Sequence, residues 1–395
     1  MSVRGAGAAG SAAIDQAART GALRRDRPIV VLLGGPSAEH DVSIVSGSAI
    51  ADALRARDWP VRTVLIDLDG RWWWLPADHR RDGRAPATYD DPAALGAGGP
   101  LALGPAIARL AGSDGPAPLV FIALHGPFGE DGTIQACLEA AGIVYTGAGI
   151  AASAVGMDKA LFKRLARGAG LPVVDWLEVG AARWARDRDG VLADLAAFAT
   201  RSGDERLMVK PARLGSSVGM TLAHGPSERV GAIELALHFD TLALVEAYLA
   251  GARDLEVSVI GNDADSLAAY GPGEIFSGHE FYDYVAKYGE GVSRTTPRAD
   301  VEPELRARIL DLARAACRAA GVEGFARVDF LLAGDALFVG ELNTIPGFTP
   351  ISLFPTLPAE AGLDFADVAE WIIALAIERA EGAGSRRLSA EDLPR

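Results

Sequence analysis

The sequence predicts an α/β protein built from more than one unit, and three observations carry that prediction. Ile29-Val30-Val31-Leu32-Leu33-Gly34-Gly35 is an uninterrupted apolar run that ends in two glycines and leads into a helical pattern. Apolar runs of strand length then alternate with helix-length segments, the order that covers a parallel sheet on both faces. The chain has 395 residues, 49% of them hydrophobic and 23% charged. At ~100–200 residues per domain that suits roughly two to four compact units and excludes a disordered, collagen-like or disulfide-stapled chain.

The first block spans 28–157. After the opening strand, Ser43 is a candidate helix cap, with Ile50 and Leu54 one turn apart. Val61–Leu68 and Leu119–Leu124 follow as strands and Ile134–Ala141 as a helix, while 83–118, rich in Gly, Pro, Ala and Asp, reads as a long surface connection. Residues 1–27 read as a mobile extension outside the fold; Ser11, Asp15 and Gln16 interrupt any signal-peptide stretch. The second block, 158–253, holds helices at Leu161–Arg167 and Val191–Thr200 and strands at Val173–Val179, Leu207–Lys210 and Leu242–Tyr248. The third, 254–395, holds strands at Leu255–Ile260, Ala326–Leu332 and Leu337–Asn343, a polar loop at 277–300, and helices at 302–320 and from Asp364 to about Ala380. No internal repeat is visible.

The formal charge of −14 argues against DNA, RNA or an anionic membrane surface as partner. No segment reaches the ~18 uninterrupted apolar residues of a membrane span. Cys137 and Cys317 lie far apart in the sequence, make no zinc set, and suit a reduced, cytoplasmic setting.

The most informative segment is Ala326 to Asn343, two alternating strands around a Gly-Asp turn. A turn centred on Asp335 pairs Asp329 with Glu341 and Arg327 with Asn343. Alternation then puts these four on one face, with Val328, Phe330, Phe338 and Leu342 on the other. Opposed carboxylates repel, so the hairpin is either a solvent-facing charged surface or a site for a divalent cation such as Mg²⁺. Pro346-Gly347, directly downstream, exposes backbone N–H groups to an anion.

Lys210 to Gly219 forms a glycine- and serine-rich turn suited to phosphate, although hairpins share that composition. It is not the G-x-x-x-x-G-K-[ST] of a P-loop, and Gly34-Gly35 lacks dinucleotide-fold spacing. Phe281 to Tyr288 is an aromatic loop that either closes over a site or packs on itself. His125 lies at the carboxyl end of a strand, where ligands bind in parallel sheets. Glu39 and His40, taken alone, are helix-initiating charges.

Taken in order, Gly34 to Ser43, His125 to Gly132, Met157-Asp158-Lys159, Lys210 to Gly219, Phe281 to Tyr288 and Glu341 to Thr349 resemble the D-alanine–D-alanine ligases of the ATP-grasp family. The resemblance runs from about Ile29 to the last helix. It implies a three-domain ATP-grasp fold with an N-terminal parallel-sheet domain, cytoplasmic, with a homodimer the family expectation. It implies ligation of two D-alanines through an acyl phosphate, for the cell wall precursor, with ATP as co-substrate and two Mg²⁺ ions (Mn²⁺ possible).

The resemblance also implies roles. Lys159, Lys210 and Lys287 hold the ATP phosphates, covered by Gly215, Ser216 and Ser217. Glu246 and the backbone of Leu249 read the adenine edge. Asp254 stands where the family has a ribose-binding Glu, one methylene longer. Asp329, Glu341 and Asn343 carry the metals. Arg327 and the N–H of Gly347 stabilise the oxyanion. Glu39 holds the first D-alanine, linked to Ser216 and Tyr288; His125 joins the substrate set; Ser352 and the backbone of Leu353 take the second carboxylate. Val285 replaces a common acidic residue, and Ala247 often appears as Lys. Tyr288 is kept, which favours an amine over a hydroxy acid as second substrate. The alternatives are another ATP-grasp amino-acid ligase, with D-serine, D-lactate or a biosynthetic second substrate, and a silent nucleotide-binding regulator.

Overall fold

The computed structural model describes residue 23 and residues 25–112, 117–276 and 294–384. Three sheets organise these residues.

The first is six-stranded: β1 (Ile29–Gly34), β2 (Val61–Ile66), β3 (Trp72–Trp74), β4 (Gly98–Leu101), β5 (Leu119–Ile122) and β6 (Val144–Tyr145), in the order β4-β3-β2-β1-β5-β6. β1 lies parallel between β2 and β5 and is buried along its whole length, as its unbroken apolar run requires. The sheet is not parallel throughout, because β3 and β4 add an antiparallel edge. That edge draws on the stretch assigned to a surface connection. Within it, β4 pairs with the tryptophan strand, and the helix Leu103–Ala111 buries Ala106 and Leu110. Its glycines and prolines mask short regular elements. Ser43 is not a cap. The helix His40–Ala56 begins one turn earlier with Glu39 at its cap position, and Ser43 lies fully buried inside.

The second sheet is four-stranded and antiparallel: β7 (Trp176–Gly180), β8 (Leu207–Pro211), β9 (Thr221–Ala223) and β10 (Leu242–Ala247), in the order β7-β10-β8-β9. The helices Arg188–Ser202 and Pro226–Phe239 close a core of its own around Val191, Phe198, Val209, Ile233 and Val245. The third sheet, also antiparallel, comprises β11 (Arg253–Gly261), β12 (Ala268–Phe276), β13 (Arg294–Thr296), β14 (Gly324–Ala333) and β15 (Ala336–Asn343), ordered β13-β12-β11-β14-β15. β12 was not expected, since Gly271-Pro272-Gly273 punctuates it like a turn.

The helix Phe365–Gly384 fuses the third sheet to the first. Ile29, Val31, Ile50, Phe325, Phe348 and Ile372 share one core. Beside it Arg57 pairs with Asp364 (2.8 Å) and Asp367 (3.0 Å), and the indole N–H of Trp59 donates to buried Glu370 at 2.8 Å. Arg25 also reaches Glu370 (3.1 Å), Arg27 donates to Ala117 O, and Leu23 packs on the same core. The end of the 1–27 segment is therefore docked on the fold rather than outside it.

The β14–β15 hairpin pairs Asp329 with Glu341 and Arg327 with Asn343, as expected, but by a different route. Its turn is Gly334-Asp335, flanked by the pair Ala333–Ala336, a register that by itself would put Asp329 opposite Gly340. A bulge between Asp329 and Phe330 on one strand and Val339 and Glu341 on the other corrects it. Beyond the bulge the faces exchange. Leu337 and Val339 enter the core, and Phe338 sits opposite Leu331 on the open face instead of inside.

Candidate active site

A cavity of about 250 Å³ opens between the second and third sheets, lined by β8, β10, β11, β14, β15 and the loop 214–218. Apolar walls come from Met208, Val218, Met220 and Leu331, none of them singled out from sequence, and Leu249 and Asp254 line the same space.

Lys159 begins the helix Lys159–Gly168, which Asp158 caps by accepting the Leu161 N–H at 2.9 Å. Its ammonium donates to Leu214 O (3.0 Å) and stands 3.2 Å from Glu341. Burial disfavours that charge, but Glu341 above all, with Glu39 and Glu130, outweighs burial and raises the Lys159 pKa. Lys210, on β8, pairs with Glu246 on the adjacent β10 at 2.7 Å. Lys163 meets the other Glu246 oxygen at 2.6 Å. Burial pushes the Glu246 carboxyl up, yet the two lysines win and bring it down to about 2.

Arg327 forks onto Asp329 through two hydrogen bonds of 2.6 Å and lies 3.3 Å from Glu256. Despite burial, these carboxylates hold its pKa well above the ordinary arginine value, so it stays charged. Asn343 donates to Asp329 at 3.0 Å. Asp329, Glu341 and Asn343 thus form a set with oxygen donors on one strand face, which suits a hard divalent cation. Among the described residues no group of three or more His, Cys, Asp or Glu gathers as a metal cluster; this set has two carboxylates and an amide. The chemistry fits Mg²⁺.

The loop after β1 reaches the cavity wall at Glu39, which touches Ser216 and Gly215 of the lining. Ser216 donates to the Glu39 carboxylate. Ser216 and Ser217 hold positive φ, 51° and 56°, a conformation that costs about 1–3 kcal/mol each for a non-glycine residue and concentrates at functional loops. Glu39 is wedged between two glycines. A Cβ on Gly126 would come within 2.7 Å of its carboxylate, and one on Gly215 closer still. Gly215→Ala is therefore expected to displace Glu39 and cut turnover by about tenfold or more, read from initial rates, with unfolding temperature close to that of the parent. An unchanged rate would mean that Glu39 need not stand there.

Other expected residues are placed less directly. His125 is nearly fully buried, and both ring nitrogens are engaged. Nδ1 is 2.8 Å from Ile345 O, which can only accept, so Nδ1 carries the proton; Nε2 is 3.0 Å from Ser46 Oγ. Burial disfavours its charged form, but nearby Glu130 raises its pKa. The ring braces the loop after β5 against the 345–348 turn. Ser352 receives the Thr349 N–H at 3.1 Å, Gly347 lies beside it, and Leu353 is buried at the start of the next turn. Lys287 and Tyr288, with the aromatic loop 281–288, lie outside the described residues.

Lys163 was not anticipated. Its spacing could have revealed it: three residues after Ala160 and three before Ala166, both buried, it shares the inward stripe of its helix.

Residues 28–148 match the family described as D-ala D-ala ligase N-terminus, and 165–374 the family described as D-ala D-ala ligase C-terminus. The chain is 36% identical over 365 residues to the D-alanine–D-alanine ligase of Chlorobaculum tepidum, covering 89% of this chain and 97% of that one. It is 40% identical over 374 residues to D-alanine–D-alanine ligase B of Bradyrhizobium diazoefficiens, covering 91% and 95%. Among solved structures, the D-alanine–D-alanine ligase from Coxiella burnetii superposes with a TM-score of 0.74 at 31% identity, covering 91% and 97%. The VanG D-Ala:D-Ser ligase from Enterococcus faecalis gives 0.76 at 29%, covering 89% and 99%.

Proposed function

The chain belongs to the D-alanine–D-alanine ligase family, with the ATP-grasp fold, and from that premise we propose that it joins two D-alanines into D-alanyl-D-alanine for cell wall synthesis, consuming ATP. The observation that carries this is convergence. Lys159, Lys210, Arg327, Asp329 and Glu341 line one cavity although the chain holds them up to 182 residues apart.

The first D-alanine's carboxylate attacks the γ-phosphorus of ATP, giving an acyl phosphate and ADP. The amine of the second then attacks the acyl carbon, and the tetrahedral intermediate expels phosphate. Lys159 and Lys210 counter the phosphate charge, and the backbone around Gly215 to Ser217 covers it. Because the Glu246 carboxylate is committed to two lysines, its backbone, with that of Leu249, is what remains for the adenine edge. Asp254 faces the ribose end. Glu39, oriented by Ser216, takes the first ammonium group, and Ser352 with the Leu353 N–H takes the second carboxylate. Arg327, fixed by Asp329 and Glu256, and the Gly347 N–H stabilise the oxyanion. Asp329, Glu341 and Asn343 would hold two Mg²⁺ ions, or Mn²⁺, which supply neutralising charge to the transferred phosphoryl group. No helix among the described residues is long and apolar enough to cross a membrane.

Phosphate release that needs both D-alanine and Mg²⁺, with a dipeptide product, is the expected result. The likeness to VanG supports a second reading in which the acceptor is D-serine. A panel pairing D-alanine with itself, D-serine and D-lactate separates the two. Phosphate release with D-serine far above that with D-alanine alone would replace the first reading, and none with any D-amino acid would remove both.

A further inference from the structure

Among the described residues, Lys163 is the ammonium of this region that lies outside the cavity lining. It is 1% exposed, 2.6 Å from Glu246 Oε1, with its charge 5.4 Å from the ring centre of Trp176. Glu246 Oε2 lies 2.7 Å from Lys210. Two ammonium groups therefore share one carboxylate, and the triad carries a net positive charge.

On the ligase reading above, we propose that Lys163 is a positioning residue for nucleotide binding: it holds and neutralises Glu246, so that the Lys210 charge is available to the ATP phosphates.

The physics runs through charge balance. Without Lys163, Glu246 and Lys210 form a closed neutral pair, and a phosphate group has to compete with a buried carboxylate for the only ammonium at that spot. That carboxylate also repels the triphosphate in a low-dielectric setting, where such terms are large. With Lys163 present, Glu246 keeps a partner when Lys210 turns to the phosphates, so no buried charge is stranded. Burial above all, with Lys210 and Arg167, lowers the Lys163 pKa, and Glu246 opposes that shift. A lysine so placed would be an expensive way to pin a helix, because an apolar side chain would pin it without the desolvation.

The test uses the full chain and four variants: Lys163→Met, Lys163→Arg, Glu246→Gln and the Lys163→Met/Glu246→Gln double. ADP and ATP binding are measured by calorimetry, and KM for ATP and for D-alanine by initial rates. Lys163→Met is expected to weaken nucleotide binding and raise KM for ATP by about tenfold, leaving KM for D-alanine unchanged. With the Glu246 charge also gone there is nothing to neutralise, so the double variant is expected to bind nucleotide as Glu246→Gln does. Lys163→Arg, which keeps the charge, is expected to bind near the parent level, and it decides the matter if Lys163→Met fails to fold. Parent-like binding by Lys163→Met, additive losses in the double variant, or equal rises in both KM values would overturn the proposal. Failure of the parent chain to bind ATP or ADP would instead overturn the ligase reading on which it rests.

Discussion

Asp329→Ala and Glu341→Ala are each expected to lower turnover by about a thousandfold or more. Loss of a charge-neutralising site on a transferred phosphoryl group removes several kcal/mol of transition-state stabilisation, and each ~1.4 kcal/mol is a factor of ten. The two variants should differ in stability. Asp329 takes both hydrogen bonds of the Arg327 fork, so its removal leaves a largely buried guanidinium with Glu256, among the described residues, as its remaining carboxylate within 4 Å; a broken buried pair typically costs about 3–5 kcal/mol. Loss of Glu341, 3.2 Å from Lys159, leaves that ammonium its hydrogen bond to Leu214 O and should cost less. Asp329→Asn keeps the shape and separates the two effects. Phosphate release at saturating ATP and D-alanine, followed across Mg²⁺ concentration, is the measurement; full activity in either alanine variant would refute the metal assignment.

Arg327→Lys is expected to lower kcat by about a hundred- to a thousandfold, with KM for ATP nearly unmoved. Lysine keeps the charge but not the planar fork that satisfies Asp329 with two bonds while directing a further N–H elsewhere. A donor aimed at a developing oxyanion acts in the transition state and so appears in kcat. A rise in KM for ATP at constant kcat would make Arg327 a binding group only.

Local patterns made much of this molecule legible. β1 announced itself because a strand buried on both faces needs an unbroken apolar run, and β14 and β15 because a half-buried hairpin needs alternation. Alternation predicts the pairing of Asp329 with Glu341, but the bulge that sets it leaves no mark in the sequence beyond Gly340. Phe338 was misplaced for the same cause. β12 and the helix Leu103–Ala111 were hidden by glycines and prolines, whose conformations are decided here by tertiary packing. At the site, the charged groups were legible through motif spacing. What stayed hidden depended on burial: Lys163 resembles any solvated helix lysine until the helix is docked, and the apolar walls of the cavity carry no motif at all.

The core that binds β1 to the helix Phe365–Gly384 makes the beginning and end of the chain a single cooperative body. Cut after Met157, the first segment would present Ile29, Val31, Ile50 and Phe121 to water, and the last would present Phe325, Phe348 and Ile372. The four-stranded sheet closes a core of its own and meets its neighbours through smaller contacts at Trp176, Ala212 and Leu244. The four-stranded sheet is therefore a continuous insert in a base that the chain leaves and later rejoins, and the cavity lies on the seam between the two.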